Sequence, residues 1–354
     1  MYALGIDLGG ANTKLALVRV EGELVRVVKT ASRYFPVWKR KDELGGVLKN
    51  LVKEFLGGKP VVNTCLTMTA ELCDVFWSKR EGVKELLEIV SKVINFSPLG
   101  ILTVKGELIT VEDAVKRYLE VAAANWYGGA YLASKIEKTC LWIDCGSTTT
   151  DIIPVVDGRV DAKGRSDPER LKFGELVYTG VLRTDVSAVV RELPFKGEMV
   201  RVSSEWFSVT GDVHLILGNI SEGEYTCETP DGRGKSVEEA VARLSRVICA
   251  DPEMVSLADA KVMARYVYEE QLSQVTRAIL QVLSRYPDVA FKAVVSGLGT
   301  FIAVKAARRV GINRVVRVDE LFGGDVSERF TAVACAVMAA EKAAKKPLGL
   351  APGG

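Results

Sequence analysis

The sequence predicts an α/β fold of two lobes, with a duplicated core and a central ligand cleft. Strand-like apolar runs alternate with helix-like segments along the chain, and one strand–turn–strand unit occurs twice, at residues 5–18 and 142–155. Aligned on their aspartates, GIDLGGANTKLALV and WIDCGSTTTDIIPV match at Ile6 and Ile143, Asp7 and Asp144, Gly9 and Gly146, and Thr13 and Thr150. Each copy opens its own α/β lobe.

The first copy begins the chain. Residues 2–8 are an apolar run typical of a buried strand, and a Gly-Gly turn leads into a second strand over 13–20 and a third from residue 23. Apolar spacing and turn residues predict the rest of this half: a helix over 41–56, a strand over 61–68, a helix over 83–94, a hairpin over 101–109, and a helix over 111–138 with a break at Gly128-Gly129.

The second copy repeats the order from residue 139. Residues 160–235 show only short strand candidates, and the predicted elements after them are helices over 237–247 and 256–285, a strand over 293–296, a helix over 301–310, a strand over 314–318 and a helix over 327–345. We therefore place an N-terminal lobe at residues 1–138 and a C-terminal lobe at 139–346. Proline and glycine in residues 347–354 predict a flexible tail.

Composition excludes several classes of function. The chain has 354 residues and a net charge of +2 without a basic block, so we expect no nucleic-acid or membrane partner. The first residues do not read as a signal peptide and no window approaches 18 consecutive apolar residues, which predicts a cytoplasmic protein. A single histidine argues against histidine-rich metal sites and a Ser-His-Asp triad.

Both turns have the chemistry of phosphate-binding loops. Because glycine lacks a Cβ, the backbone at Gly9, Gly10 and Gly146 can turn tightly and present N–H groups to an anion. Further donors lie beside these glycines: Asn12, Thr13, Lys14, Ser147, Thr148 and Thr149. Asp7 and Asp144 end two strands that would lie side by side, where carboxylates typically hold a hydrated Mg²⁺ that bridges phosphate oxygens. Two ordinary tight turns are the alternative.

A third glycine element lies late in the chain. Residues 294–307 read as a strand, Gly297-Leu298-Gly299 and a helix. In two-lobed phosphate-binding proteins this arrangement receives the nucleoside or an equivalent far end of the ligand. An ordinary connection between strand and helix is the alternative, so Gly297 and Gly299 are candidate binding residues.

These elements together resemble the actin/hexokinase/Hsp70 superfamily, whose ribonuclease H-like core is duplicated around a central cleft. The resemblance narrows to the hydantoinase A/oxoprolinase-related branch and to one small family within it on these stretches: GIDLGGANTK (5–14), TMTAELCD (67–74), DCGSTTTDIIPV (144–155), RLKFGELVYTGVLRTDV (170–186) and TGDVHLILG (210–218). That family is found in tetrahydromethanopterin- and methanofuran-linked one-carbon pathways. Its characterised activity is (4-{4-[2-(γ-L-glutamylamino)ethyl]phenoxymethyl}furan-2-yl)methanamine synthase, a step of methanofuran biosynthesis.

The resemblance implies an alkyl transfer that releases diphosphate. The phenol oxygen of γ-glutamyltyramine would attack the methylene of 5-(aminomethyl)furan-3-ylmethyl diphosphate, and an ether would form. Both loops would then hold diphosphate, and Asp7 and Asp144 would bind Mg²⁺. The charge of Lys14 would help to neutralise the diphosphate, and ATP would not be required. Asp151 and Glu71 are the candidates for accepting the phenol proton. Arg183 and Glu175 are the candidates for binding the glutamyl carboxylate and the aminomethyl group.

Three other functions remain open from sequence. An ATP-dependent small-molecule kinase or ATPase has the superfamily's commonest chemistry, and Gly297-Leu298-Gly299 would then hold adenosine. An ATPase-coupled amidohydrolase of the hydantoinase type is usually a much longer chain. A nucleotide- or sugar-sensing regulator would be expected to carry a DNA-binding extension. A homodimer is expected only because symmetric dimers are common among soluble enzymes.

Overall fold

The computed structural model describes residues 1–351, and the last part of the predicted tail, residues 352–354, lies outside the described residues. Two main β-sheets are present, one built on each copy of the repeated unit, together with a small separate hairpin. Helices pack on both main sheets. No helix within residues 1–351 combines the length and the apolar character needed to cross a membrane. The predicted mixed α/β architecture is confirmed.

The first sheet has seven strands in the order β15-β3-β2-β1-β4-β5-β6. Strands β1 to β3 form an antiparallel meander, and β4 runs parallel to β1. Its strands are β1 (Tyr2–Leu8), β2 (Asn12–Glu21), β3 (Leu24–Tyr34), β4 (Val61–Met68), β5 (Leu99–Leu102), β6 (Leu108–Ile109) and β15 (Gly349–Leu350). The helices of this half are α1 (Val37–Arg40), α2 (Leu44–Leu56), α3 (Lys79–Val93), α4 (Val111–Lys116), α5 (Tyr118–Val121) and α6 (Asn125–Ile136), with 3₁₀ turns at Lys41–Glu43 and Ala70–Leu72.

The second sheet repeats this plan. Strand β7 pairs with β8 in antiparallel register and with β13 in parallel register, as β1 pairs with β2 and β4. The strands are β7 (Cys140–Cys145), β8 (Thr150–Val156), β9 (Arg159–Val160), β10 (Leu176–Val177), β13 (Lys292–Ser296) and β14 (Val315–Arg317), and the separate hairpin is β11 (Glu192–Phe195) and β12 (Glu198–Arg201). The helices are α7 (Asp167–Phe173), α8 (Val186–Val189), α9 (Thr210–Ile216), α10 (Val237–Arg246), α11 (Leu257–Leu283), α12 (Thr300–Arg309), α13 (Val318–Phe322), α14 (Gly324–Glu328) and α15 (Phe330–Ala344).

The period of two along a strand decides which way the aspartates face. On β1, Leu4, Ile6 and Leu8 pack in a core with α2 and α3, so Asp7 lies on the opposite face. On β7, Leu141 and Ile143 pack in a core with α11 and α12, while Trp142 enters a core shared by both sheets. Asp7 and Asp144 therefore both belong to the strand faces that border the interior between the two sheets.

The predicted long helix over 111–138 differs from the structure. It is divided at Arg117 and at residues 122–124, where Ala123 has φ of +49°, and not at Gly128-Gly129. Both glycines lie inside α6. Glycine is needed at position 129 because a Cβ there would lie 2.1 Å from the Trp142 ring. Gly129 permits close packing of α6 against β7, and neither glycine breaks the helix.

The end of the chain returns to the first sheet. Helix α15 lies in the predicted C-terminal lobe of residues 139–346, yet it packs on β1, β2 and β4. Residues 347–351 also differ from the expected flexible tail, since Gly349 and Leu350 pair with β3 and Leu348 and Ala351 are buried. The hydrogen bonds to β3 order this segment, which composition alone cannot predict.

Gly5 allows α15 to lie directly on β1. A Cβ on Gly5 would lie 2.0 Å from the Ala332 carbonyl oxygen and 2.4 Å from the Ala336 amide nitrogen. We expect Gly5→Ala to lower the free energy of unfolding by about 1–3 kcal/mol or more, because backbone has to move. Gly46 lies on the exposed face of α2, and a Cβ added to it would meet no atom within 4 Å. Gly46→Ala should therefore raise the free energy of unfolding by about 0.5–1 kcal/mol. Urea unfolding of both variants checks this, and an equal response would contradict it.

Candidate active site

The two repeated turns have the same geometry. The Gly9 amide donates to the Asn12 carbonyl at 2.9 Å, and the Gly146 amide donates to the Thr149 carbonyl at 2.9 Å. Across each hairpin, Asp7 pairs with Lys14 and Asp144 pairs with Asp151 in the strand register. The sequence duplication is therefore a structural one, in which Lys14 of the first copy occupies the position of Asp151 in the second.

A cavity of about 600 Å³ lies between the two turns. This volume is in the usual range for small-molecule sites. The predicted residues that line it are Asp7, Gly9, Gly10, Asn12, Lys14, Glu71, Asp144, Gly146, Ser147, Thr148, Thr149, Asp151 and Arg183. The lining residues that sequence reasoning missed include Trp38, Thr69, Asn125, Asp167, Arg170, Tyr178 and Thr331. The cavity thus joins segments far apart in sequence.

Each of the two aspartates is held by a hydroxyl group. Thr331 Oγ1 donates to Asp7 Oδ2, and Ser296 Oγ donates to Asp144 Oδ1. Ser296 is in turn fixed by Trp142 Nε1, which donates to its hydroxyl at 3.0 Å. Burial raises the pKa of Asp144 to about 6, and the Lys14 ammonium and the Ser296 hydroxyl oppose that rise. Nothing in the local sequence marked Ser296 or Thr331 as supports for the site.

The aspartate pair fits a magnesium ion of the kind that nucleotide and diphosphate sites use. One oxygen of each carboxylate accepts a hydroxyl, and the other accepts no hydrogen bond from residues 1–351. No group of three or more His, Cys, Asp or Glu side chains in the described chain is arranged to chelate a metal alone. Mg²⁺ commonly uses one or two carboxylates and completes its shell with water and phosphate oxygens, so the two carboxylates beside the glycine turns match its usual protein ligands.

The second turn rests on the segment that follows β10. The Val181 amide donates to the Gly146 carbonyl, and the Leu182 and Arg183 amides donate to the Ser147 carbonyl, all at 2.9–3.0 Å. The Arg183 guanidinium lies over the Trp38 ring at 4.9 Å, and its Nη1 donates to Thr148 Oγ1 at 3.3 Å. Arg183 therefore brings a cation from the second half of the chain to the cavity wall formed by the first.

Asp151 is part of a buried ion pair. Arg170 Nη2 donates to Asp151 Oδ1, and the same guanidinium lies 5.0 Å from the centre of the Trp126 ring. Arg170 Nη2 also donates to the Glu175 carbonyl at 3.1 Å. Burial raises the pKa of Asp151, while the Arg170 cation opposes that rise. Asp151 thus reaches the cavity as a carboxylate held in one orientation.

Glu71 is different, because its carboxylate lacks a partner. It lies on the 3₁₀ turn Ala70–Leu72, is 1% exposed, and neither Oε1 nor Oε2 meets hydrogen-bond geometry with any described residue. Burial raises the pKa of Glu71 to about 8, although the nearby backbone amides of Glu71 and Ala123 and the Lys79 ammonium favour the ionised form. Gly82 of α3 packs against the turn, since a Cβ there would lie 2.6 Å from the Glu71 carbonyl oxygen.

Four predicted binding residues do not line the cavity: Thr13, Glu175, Gly297 and Gly299. Glu175 is fully buried, accepts from the Lys163 and Gly164 amides at 2.7 and 2.8 Å, and is paired with Arg285 at 2.6 Å. Its carboxylate is therefore used inside the protein and does not bind substrate. Thr13 is also buried within β2, 3% exposed, and does not reach the cavity.

The Gly297-Leu298-Gly299 element is likewise a packing feature. The Gly299 amide donates to the Cys145 carbonyl at 2.8 Å, and a Cβ on Gly297 would lie 2.3 Å from the same oxygen. Because Gly297 has φ of +91° and touches the end of β7, glycine is required there for backbone approach. Neither Gly297 nor Gly299 lines the cavity, so this geometry gives their predicted binding role no support.

The raised pKa of Glu71 makes stability depend on pH. The folded protein keeps this proton up to about pH 8, whereas the unfolded chain loses it near 4.5, so rising pH in this interval favours unfolding. Between pH 5 and pH 8 we expect wild type to lose stability relative to Glu71→Gln, on the order of 3 kcal/mol. Urea unfolding at several pH values measures the difference. Exposed Glu88→Gln is the control, and parallel curves for wild type and Glu71→Gln would refute the effect.

Comparison with known proteins places the chain in context. The hydantoinase/oxoprolinase family profile matches residues 63–341. A Methanocaldococcus jannaschii protein named (4-{4-[2-(gamma-L-glutamylamino)ethyl]phenoxymethyl}furan-2-yl)methanamine synthase is 41% identical over 327 residues, covering 92% of this chain and 93% of that protein. A Methanococcus vannielii protein of the same name is 35% identical over 200 residues, covering 56% of this chain and 89% of that protein.

Among solved structures, nucleotide-free acetone carboxylase superposes with a TM-score of 0.50 at 12% sequence identity, covering 95% of this chain and 70% of that chain. At this identity the likeness concerns the fold alone. The fold is the two-lobed actin/hexokinase/Hsp70-like one, with the cavity at the junction of its duplicated halves.

Proposed function

This chain belongs to the hydantoinase/oxoprolinase family, and on that premise we propose that it is an enzyme with the (4-{4-[2-(γ-L-glutamylamino)ethyl]phenoxymethyl}furan-2-yl)methanamine synthase activity of methanofuran biosynthesis. The name of its relatives describes an aryl ether between a phenol and a furanylmethyl group. The observation that carries the proposal is the pair of equivalent glycine turns around one cavity, which suits a diphosphate leaving group.

The reaction forms one bond and breaks one. The phenol oxygen of γ-glutamyltyramine attacks the exocyclic methylene of 5-(aminomethyl)furan-3-ylmethyl diphosphate and forms the ether. The bond between that methylene and the diphosphate oxygen breaks, its electron pair leaves with diphosphate, and the phenol proton passes to a base. The furan ring stabilises positive charge on the methylene, so stabilisation of the leaving diphosphate and positioning of the phenol are the main demands on the protein.

The residues around the two turns meet the first demand. Backbone amides and short side chains at Gly9, Gly10, Asn12, Gly146 and 147–149 hold the diphosphate, and Lys14 offsets its growing charge. Asp7 and Asp144 would hold Mg²⁺, which would supply positive charge to neutralise the diphosphate. Donors fixed before the reaction need no reorganisation as the charge develops. Ser296 and Thr331 keep the two carboxylates in place.

The residues beside the second turn suit the acceptor substrate. Asp151 reaches the cavity and is oriented by Arg170, which makes it the proposed acceptor of the phenol proton. Arg183, supported by Trp38, is the proposed partner of the glutamyl carboxylate, because a guanidinium can bind a carboxylate through two parallel hydrogen bonds. Glu175, the other residue considered for substrate binding, is already used inside the protein.

The competing function is an ATP-dependent kinase or ATPase. Its nucleoside site would use the Gly297-Leu298-Gly299 element, but those glycines pack under the end of β7 and do not line the cavity. The synthase proposal needs no nucleoside at that position.

Product analysis with purified protein and Mg²⁺ tests the proposal. One reaction contains the furanylmethyl diphosphate and γ-glutamyltyramine, and another contains ATP with a panel of small metabolites. Release of diphosphate that depends on the phenol, with the ether product detected by mass, is the expected result. ADP formation in the second reaction with no product in the first would replace the proposal by the kinase function.

A further inference from the structure

We infer that Glu71 binds the primary ammonium group of the furanylmethyl diphosphate and makes the enzyme select the aminomethylated substrate. This assignment rests on the proposed function, since it concerns the donor substrate of that reaction. From the sequence, Glu71 was only a candidate acceptor of the phenol proton. The inference instead makes it a residue that selects the donor substrate.

Glu71 stands apart from the other buried carboxylates of the cavity, because no side chain donates to it. The other buried or half-buried carboxylates that share this wall each have a partner: Asp7 with Thr331, Asp144 with Ser296, Asp151 with Arg170, and Asp167 with Lys79 at 2.7 Å. Glu71 is 1% exposed and both of its oxygens are unsatisfied among residues 1–351. A buried unpaired carboxyl group is costly, so such a group facing a cavity indicates a ligand that completes it.

The position of Glu71 matches the shape of the donor substrate. Its turn lies directly against the first phosphate loop, because a Cβ on Gly9 would lie 3.6 Å from Thr69 Oγ1 and one on Gly10 would lie 2.8 Å from Cys73 Sγ. A furan ring separates the diphosphate of the substrate from its ammonium group by only a few bonds. With diphosphate on the loop, we place that ammonium against the turn that carries Glu71.

Charge explains why the ligand group is a cation. Burial favours the protonated form of Glu71, with a pKa of about 8, so an incoming ammonium would supply the positive charge that the ionised carboxylate lacks. A substrate without the amine would leave the carboxyl group buried and unpaired. Sites built around a buried polar partner reject analogues that lack the matching group strongly.

A cross of two donor substrates with three proteins tests the inference. The substrates are the natural diphosphate and its analogue with a 5-methyl group in place of 5-aminomethyl. The proteins are wild type, Glu71→Gln, and Glu88→Gln, whose carboxylate is exposed on α3. For wild type and Glu88→Gln we expect kcat/KM to favour the amine by roughly 100-fold or more. For Glu71→Gln this preference should fall to within about tenfold, chiefly through loss with the amine substrate.

The outcomes separate three roles of Glu71. If Glu71→Gln slows both substrates by the same factor, Glu71 acts on the proton transfer and the inference is wrong. If both substrates react as in wild type, Glu71 has no role in selection and the inference is also wrong. Circular dichroism of each variant checks that it is folded.

Binding measured without the phenol keeps the inference separate from the proposed reaction. Calorimetric titration of each diphosphate into each protein should show the same dependence on Glu71 in Kd. If wild type forms no ether but still prefers the amine through Glu71, the proposed reaction fails and the site assignment stands. Equal Kd values for the two diphosphates in wild type would overturn the assignment.

Discussion

Asp7→Asn and Asp144→Asn are each expected to lower turnover by roughly 100- to 1000-fold or more while the protein stays folded. Each change keeps the size of the side chain but removes a negative charge beside the two glycine turns. The supports from Thr331 and Ser296 remain in place, so the loss reports the charge and not a collapse of the site. Initial rates of diphosphate release measure the effect.

Two further measurements give this prediction its specificity. Removal of divalent metal with a chelator should abolish turnover in wild type, and Mg²⁺ should restore it. Titration of Mg²⁺ with inorganic diphosphate should show weaker binding in both variants. Asp157→Asn, in the exposed turn after β8, is the control and should behave as wild type. Full activity of either Asp7→Asn or Asp144→Asn would remove both residues from the proposed metal site.

Arg170→Met is expected to lower the free energy of unfolding by about 3–5 kcal/mol, since it leaves a buried carboxylate without its partner. Arg170 is 2% exposed and Asp151 is 6% exposed, so water cannot replace the lost guanidinium. The substitution also removes the cation that lies over Trp126. Urea unfolding followed by tryptophan fluorescence and by circular dichroism measures the change.

The double variant Asp151→Asn/Arg170→Met provides the internal comparison. It should be more stable than Arg170→Met, because removing both members of a buried pair leaves no uncompensated charge. Arg40→Met, in the exposed pair with Glu43, should unfold at the wild-type urea concentration. If Arg170→Met unfolded like Arg40→Met, the ion pair would not support the cavity wall. Arg170→Met and the double variant should both lose activity, since each alters Asp151 or the residue that orients it.

Much of the site was predictable because its central parts are local. A glycine turn between two strands depends on a few adjacent residues, and those residues occur twice, so Gly9 and Gly146 were found from sequence and have the same hydrogen bond in the structure. The duplication also predicted that Asp7 and Asp144 would share one cavity. The helices with clear apolar spacing were found for the same reason, as α11 and α12 show.

Other features depend on segments distant in sequence, and tertiary structure alone decided them. Thr331 and Ser296 reach the aspartates only because α15 returns to β1 and β13 pairs beside β7. Glu175 was a reasonable substrate ligand until Arg285 and two backbone amides were seen to use its carboxylate. The Glu71 carboxylate is buried and no side chain donates to it, and both facts depend on how distant segments pack around it.

The sequence by itself determined the two-lobed α/β fold, the paired glycine turns and the family. The tertiary structure decided which polar side chains are satisfied inside the protein and which face the cavity unsatisfied. The physical reason is that turn geometry and apolar periodicity are set by neighbouring residues, whereas desolvation and hydrogen-bond satisfaction depend on every segment that packs around a group.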